Sequence, residues 1–256
     1  MKPINFPLCL LALLFIAPAQ AAPVEITADG ALEWKQEQKQ YIASGNAMAK
    51  QGDTTIKAET LTADYTANDA GKTDITKVTA IGGVTITSGE TVITGNKAVY
   101  DLKKGYAEIT GDKLALTGKD LNVTATERFE YWDKERKIVA VGNAVVIKGK
   151  DQMQSARIEA WLGKNAQTGQ DEIVRVEAKG NVKLVSDGNI ATGNAGTYDG
   201  KTGKANLQGN VEVKQGENVI TGDQADVDLN NKTSAIKTTS PGQGRVKGIF
   251  VPEKQN

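Results

Sequence analysis

The sequence predicts an all-β chain, folded as a long meander of antiparallel hairpins with one buried face. Three observations predict it. Apolar and polar residues alternate with a period of two through most of the chain. A Gly-Asn-apolar unit recurs, as in "ASGNAMAK" from Ala43 and "AKGNVKLV" from Ala178. Polar stretches rich in glycine separate the alternating segments and predict turns.

The recurring glycine defines a repeat. Six copies occur, 29 to 38 residues apart, and a repeat of this length indicates a stacked array of similar units. The longer intervals contain polar stretches at 66–77 and 163–172, which we interpret as extended hairpin loops. The anchors are Gly45, Gly82, Gly111, Gly142, Gly180 and Gly209.

The residues two and four positions before and after each anchor are apolar, with Lys113 as the one exception. The opposite parity is mostly polar. Alternate residues of a strand point to opposite faces of the sheet, so this pattern predicts strands with one buried and one wet face. Outward residues such as Glu177 and Glu212 are expected to tolerate substitution.

A second kind of segment lies between the anchored strands. It carries a small residue in the middle, which we interpret as a bulge or bend, and usually an aromatic residue near its end. Seven such segments, from 26–34 to 220–229, alternate with six anchored strands. The aromatic residues are expected to fill the core: Trp34, Tyr65, Tyr100, Phe129, Tyr131, Trp161 and Tyr198.

The start of the chain has the anatomy of a secretory signal peptide: Lys2, a short apolar run and an Ala-x-Ala site. We predict a signal peptide over 1–21, a β domain over 22–240 and a C-terminal tail over 241–256. After Cys9 there is no cysteine, so the exported protein is expected to lack disulfides. The equal numbers of basic and acidic residues, 31 each, argue against a nucleic-acid partner.

Catalytic and cofactor motifs are not apparent in the sequence. There is no histidine, which excludes Ser-His and Cys-His nucleophile pairs and histidine zinc sites. The segment "ITGDQADVD" has acidic spacing like a calcium loop but lacks the terminal glutamate and follows a strand pattern. We therefore predict no metal, no cofactor and no enzyme. The acidic residues Glu127, Glu130, Asp133 and Glu135 alternate with basic ones and are interpreted as a solvated, self-paired face.

Two stretches carry a resemblance to a known family. "TLTADYT" and "GGVTITSGETVITGNKAVYD", repeated along the chain, resemble the OstA-like domain family, the LptA-like periplasmic bridge proteins of lipopolysaccharide transport. The ending "GQGRVKGIFVP" is similar to the end of such proteins. The resemblance implies an open, twisted β-jellyroll in the periplasm whose apolar interior carries the acyl chains of lipopolysaccharide from the inner to the outer membrane.

The resemblance also implies partners. LptC-like inner-membrane and LptD-like outer-membrane proteins would pair with its open strand edges, and copies would associate head to tail. The alternatives are a relative of LptC or of the LptD N-terminal domain, an adhesive β-solenoid, or a β-helix enzyme acting on polysaccharide. The residues expected to contact lipid come from the inward set: Ala43, Ala47, Val78, Ala80, Val84, Ile86, Ile109, Ile138, Ala140, Ala144, Val146, Val176, Ala178, Val182, Leu184, Leu207, Val211 and Val213.

Overall fold

The computed structural model describes residues 24–67, 73–165, 167, 169, 171–228, 230–231, 233–239 and 245–251. The predicted signal peptide lies outside these residues. The described chain is all β, as predicted, and contains no helix that could cross a membrane. Its strands are β1 (Glu25–Thr27), β2 (Ala31–Lys35), β3 (Gln40–Gln51), β4 (Thr54–Ala67), β5 (Thr73–Ser88), β6 (Thr91–Asp101), β7 (Tyr106–Thr110), β8 (Leu114–Gly118), β9 (Leu121–Ala125), β10 (Arg128–Trp132), β11 (Lys137–Lys148), β12 (Asp151–Lys164), β13 (Asp171–Ser186), β14 (Asn189–Asp199), β15 (Lys204–Gln215), β16 (Asn218–Asp228), β17 (Thr233–Lys237) and β18 (Lys247–Ile249).

The chain divides into two compact units, and the boundary falls inside β11, between Val141 and Gly142. In the first unit, described over 24–141 with its gap at 68–72, β2 to β6 form successive antiparallel hairpins. In the second unit, β12 to β16 do the same. Consecutive strands therefore pair with each other, which is the meander that the sequence predicts.

The Gly-Asn units form the predicted bends, and their geometry explains both residue types. Ser44 pairs with Thr60 and Ala47 pairs with Ala58, so Gly45 and Asn46 together face a single residue of β4. Such a two-against-one mismatch is a β-bulge. Both inserted residues have left-handed backbones, with φ of 81° and 45°. Glycine adopts this conformation freely, and asparagine is among the few other residues that accept it.

Several strands are split in two at the bend. β1 and β2 both pair with β3, on either side of Gly45. β7 and β8 both pair with β6, and β17 and β18 both pair with β16. The thirteen predicted strands are observed, and three of them are in two pieces: β1 with β2, β7 with β8, and β9 with β10. The C-terminal residues add β17 and β18.

Gly111 differs from the other anchors, and the inward pattern predicted after it is wrong. It follows the last residue of β7, and its φ is not in the left-handed region where the other anchors lie. The break after it shifts the phase of the chain by one residue. Leu114 and Leu116 are consequently buried on β8, whereas Lys113 is exposed. Lys113, the one charged residue among the apolar inward positions, was the sequence signal of this break.

Candidate functional site

The inner face is the side of the strands that carries the residues two and four positions from each bend. Fourteen of the eighteen residues predicted to contact lipid are buried there, and none is exposed. Val78, Val146, Leu184 and Val213 are half-buried. The buried members are Ala43, Ala47, Ala80, Val84, Ile86, Ile109, Ile138, Ala140, Ala144, Val176, Ala178, Val182, Leu207 and Val211.

Burial of the inner face occurs on both sides of a bend. On β5, Ala80 before the bend is 2% exposed and Val84 after it is 1% exposed. The half-buried positions lie at the ends of this pattern, where apolar surface is still accessible. The apolar character of the inner face is thus confirmed, and contact with lipid stays a prediction.

The aromatic residues fill the core only in part. Tyr65, Phe129 and Tyr131 are buried, as predicted. At the first hairpins the Trp34 indole N–H donates a hydrogen bond of 2.8 Å to the Tyr65 hydroxyl. Tyr41 lies between them, with its ring centroid 4.8 Å from that of Tyr65. Trp34 itself is 58% exposed, because β2 is the outermost strand at this end.

Trp161 was predicted to fill the core, and this prediction is wrong. Its neighbours Ala160 and Leu162 are buried, while the Trp161 ring lies against the guanidinium of Arg175 at 5.0 Å. A cation over an indole face is a favourable electrostatic contact at a surface. Trp161 therefore belongs to the outward face, in a ladder of charged residues.

The acidic cluster at 127–135 is not uniformly solvated, which corrects the prediction for Glu130. Glu130 is 5% exposed, although it points outward. Arg128 Nε donates to its carboxylate at 2.7 Å, and the Trp132 indole N–H donates at 3.0 Å. The other acids of the cluster are half-buried or exposed. The guanidinium and the indole N–H satisfy the buried carboxylate of Glu130, so its burial has a structural explanation.

Outward charges in the second unit are also paired. Glu177 contacts both Arg175 and Lys179, and its side chain is only 17% exposed. Burial raises its pKa, but the hydrogen bonds and charges of these cations prevail and lower the pKa below its ordinary value. Glu177 is therefore held in ion pairs and is not the unconstrained outward residue that the sequence predicted. Glu212, in contrast, is exposed.

The acidic residues of "ITGDQADVD" also have protein partners. Asp226 accepts hydrogen bonds from Lys237 at 2.8 Å and from Gln224 at 2.7 Å. These bonds, with one from Asn206, lower the pKa of Asp226 to about 2 despite the opposing effect of burial. Asp223 accepts a hydrogen bond from the Thr239 backbone N–H at 3.1 Å. The two carboxylates thus hold β17 and the segment after it against β16.

The outermost strands carry exposed apolar side chains, among them Trp34, which was predicted to fill the core. Leu32 and Trp34 of β2 are 63% and 58% exposed. At the other terminus Phe250 is 69% exposed, beside Ile249 and Val251. β18 is held to β16 by its ladder and by a hydrogen bond from Val251 N–H to Asn218 Oδ1. Within the described residues, β2 pairs only with β3 and β18 only with β16.

These features agree with a family comparison. Residues 25–127, 122–233 and 192–245 match the family described as LptA/(LptD N-terminal domain) LPS transport protein. The chain belongs to this family. Because the matches extend from β1 to the beginning of the C-terminal tail, the family assignment covers both units and the repeated bends in each.

The individual relatives of this LptA/LptD N-terminal family member are distant in sequence. An uncharacterized protein of Rhizobium meliloti (strain 1021) is 28% identical over 131 residues, which are 49% of this chain and 70% of the relative. A similar solved structure is LptH, the LptA homologous periplasmic component of the conserved lipopolysaccharide transport device from Pseudomonas aeruginosa. It is 12% identical and covers 90% of this chain and 96% of its own, with a TM-score of 0.23.

Proposed function

We propose that this chain is a periplasmic carrier that holds the acyl chains of lipopolysaccharide against its inner face and passes the lipid from the inner toward the outer membrane. The observation that carries the proposal is the apolar inner face, repeated rung after rung, in a chain of a lipopolysaccharide transport family. Each methylene transferred from water to such a surface contributes about 0.8 kcal/mol. A lipid with several acyl chains needs no further attraction to bind.

The small size of the inward residues supports this proposal. Residues such as Ala43, Ala47, Ala80, Ala140 and Ala178 leave more room between facing strands than leucine or isoleucine would. Protein interiors are otherwise filled to a packing density of about 0.74. Acyl chains entering beside the half-buried Val78, Val146, Leu184 and Val213 would complete the packing.

The direct test is recovery of the ligand. The chain, produced with its own N-terminal segment in a Gram-negative host, is purified from the periplasm without detergent. Mass spectrometry of the extracted lipid is expected to show lipid A in a fixed ratio to protein. A lipid-free protein from cells that make normal lipopolysaccharide would contradict the proposal.

The two terminal edges are proposed to join this chain to its partners. An outer strand with an unpaired edge is a template for another strand, and adding a strand is a known mode of recognition. The exposed Leu32 and Trp34 of β2, and Ile249 and Phe250 in and beside β18, add apolar surface to each edge. Because the two ends differ, the contact is head to tail and propagates. LptC-like and LptD-like domains would dock at the ends of such a bridge.

Removal of residues 241–256 is expected to leave the fold intact and to weaken self-association. The truncation deletes β18 and the apolar side chains beside it but keeps β17 and its Lys237–Asp226 ion pair. Analytical ultracentrifugation over a concentration series measures the effect. The control is Leu102→Ser, which removes an exposed apolar side chain in a hairpin turn away from both edges. Equal association of full-length, truncated and control chains would exclude pairing through the C-terminal edge.

A further inference from the structure

The inner face changes character near the hairpin turns that follow the bends. In the first unit, Ile56, Ile86 and Ile93 pair across β4, β5 and β6, and Leu116 and Val123 continue this apolar row. Two residues closer to the turns, on the same face, lie Thr54, Ser88 and Thr91, here called the hydroxyl row. On β4 to β6 the inner face thus passes from aliphatic side chains to hydroxyl groups over one step of the strand, whereas on β8 and β9 the next row consists of Gly118 and Leu121.

Two members of the hydroxyl row are buried and Thr54 is half-buried, and the hydrogen bonds of the row are incompletely satisfied. Ser88 is 8% exposed and shares a hydrogen bond of 3.1 Å with Thr54. Thr91 is 2% exposed, and its hydroxyl has no hydrogen-bond partner among the described residues. A buried hydroxyl without a partner destabilises a protein, so native structures nearly always supply one. The hydroxyl of Thr91, on the inward side of β6, is therefore the group that a bound molecule would complete.

The second unit has the same order of rows. Leu184, Ala191, Val213 and Ile220 form an inward apolar row across β13 to β16. The next row toward the turns consists of uncharged polar residues: Ser186, Asn189, Gln215 and Asn218. The change from apolar to neutral polar side chains therefore occurs independently in each unit, at the same distance from the bend.

The inner face on the other side of the bends ends differently. Its last row in the first unit is apolar and aromatic, with Tyr41, Ala63, Val78 and Tyr100 paired across β3 to β6. In the second unit the equivalent row contains Val176, Tyr198, Ala205 and Val227. Within the described residues of each unit, a row of aliphatic hydroxyl or amide side chains lies at only one end of the inner face, while the polar groups of the other end are tyrosine hydroxyls.

We infer that the hydroxyl row binds the ester or amide linkages that join acyl chains to the polar part of a lipid. This inference rests on the proposed function and adds the direction in which the lipid headgroup points away from the inner face. Threonine and serine hydroxyls donate to carbonyl oxygens, which lie where an acyl chain ends. A phosphate would instead favour lysine or arginine. With its linkages at this row, the lipid keeps its chains along the isoleucines and its headgroup toward the turns at 52–53 and 89–90.

The test compares two lipids that differ only in the linkage. Diacyl phosphatidylglycerol and its dialkyl ether analogue share chain length and headgroup, but only the former has carbonyl oxygens. The full chain is expected to bind the diacyl lipid roughly five- to tenfold more tightly, the effect of one hydrogen bond to a buried donor. In Thr91→Val this preference is expected to disappear, while thermal stability is kept or raised because an unpaired hydroxyl is lost.

A second variant places a methyl group on a neighbouring strand, next to the same hydroxyl. A Cβ added at Gly118 would lie 3.2 Å from Thr91 Oγ1, so Gly118→Ala should hinder access to this hydroxyl and also lower the preference. The control is Thr117→Val, which removes an exposed hydroxyl of β8. Equal binding of both lipids by the unmodified chain, or an ester preference that persists in Thr91→Val, overturns the inference and leaves the carrier function standing. Binding of neither lipid also overturns the inference, and recovery of lipid A from the periplasm then decides the carrier function separately.

Discussion

Replacing Val213 by aspartate is expected to abolish lipid retention while the chain stays folded. Val213 is a half-buried residue of the inner face, paired with Ala191 on one side and Ile220 on the other. In the free protein, water can still reach a carboxylate at this position. Against acyl chains the carboxylate is desolvated without a partner, which costs about 3 kcal/mol or more. That cost corresponds to more than a hundredfold loss in binding constant.

The matched control is the adjacent Glu212→Lys. Glu212 lies on the opposite face of the same strand and is exposed, so its charge reversal should leave lipid retention unchanged. Lipid A per protein is measured by mass spectrometry, and the unfolding midpoint is recorded for each variant. Equal lipid retention in Val213→Asp and Glu212→Lys would refute the assignment of the inner face as the lipid-binding surface.

The fully buried alanines behave differently, which decides the choice of variant. Ala178 is 2% exposed and Ala140 is 5% exposed, so aspartate at either position is buried even without lipid. An uncompensated buried charge destabilises a protein by about 3–5 kcal/mol. Ala178→Asp and Ala140→Asp are therefore expected to lose lipid together with stability, and they cannot separate binding from folding.

Replacing Gly180 by alanine is expected to lower the free energy of unfolding by about 3 kcal/mol. Gly180 has a φ of 85°, a left-handed conformation that disfavours alanine by about 1–2 kcal/mol. In addition, the new Cβ would lie 2.8 Å from the Cβ of Ala156 on β12, closer than real carbon atoms approach. One of the two strands must shift at the bend, and the inner face on both sides of the bend shifts with it.

Gly188→Ala isolates the backbone contribution. Gly188 has a similar φ of 79° in the turn between β13 and β14, but nothing lies within 4 Å of its added Cβ. This variant is expected to lose only this backbone contribution, about 1–2 kcal/mol. Denaturant unfolding of both variants measures the difference. Equal losses would show that the close approach at the bend contributes nothing, and that Gly180 is required for its backbone conformation alone.

The repeat and its buried face were predictable because both depend on local rules. Alternation follows from strand geometry, and the Gly-Asn unit follows from the left-handed backbone of a bulge. The same rules failed at Gly111, where no bulge forms and the phase shifts by one residue. They also failed at Trp161, because apolar area alone does not say that a tryptophan packs on Arg175 outside the sheet.

The sequence by itself determined the all-β class, the number of rungs, the position of every bend except the one predicted at Gly111, and most of the inner face. Each of these depends on residues within one strand or its hairpin partner. Only the tertiary structure decided that Glu130 is buried, that β18 returns to pair with β16, and that Thr91 is enclosed without a hydrogen-bond partner among the described residues. These outcomes depend on which side chains from distant parts of the chain exclude water from one position. Solvent exclusion is a property of the assembled surface, and no local pattern of residues specifies it.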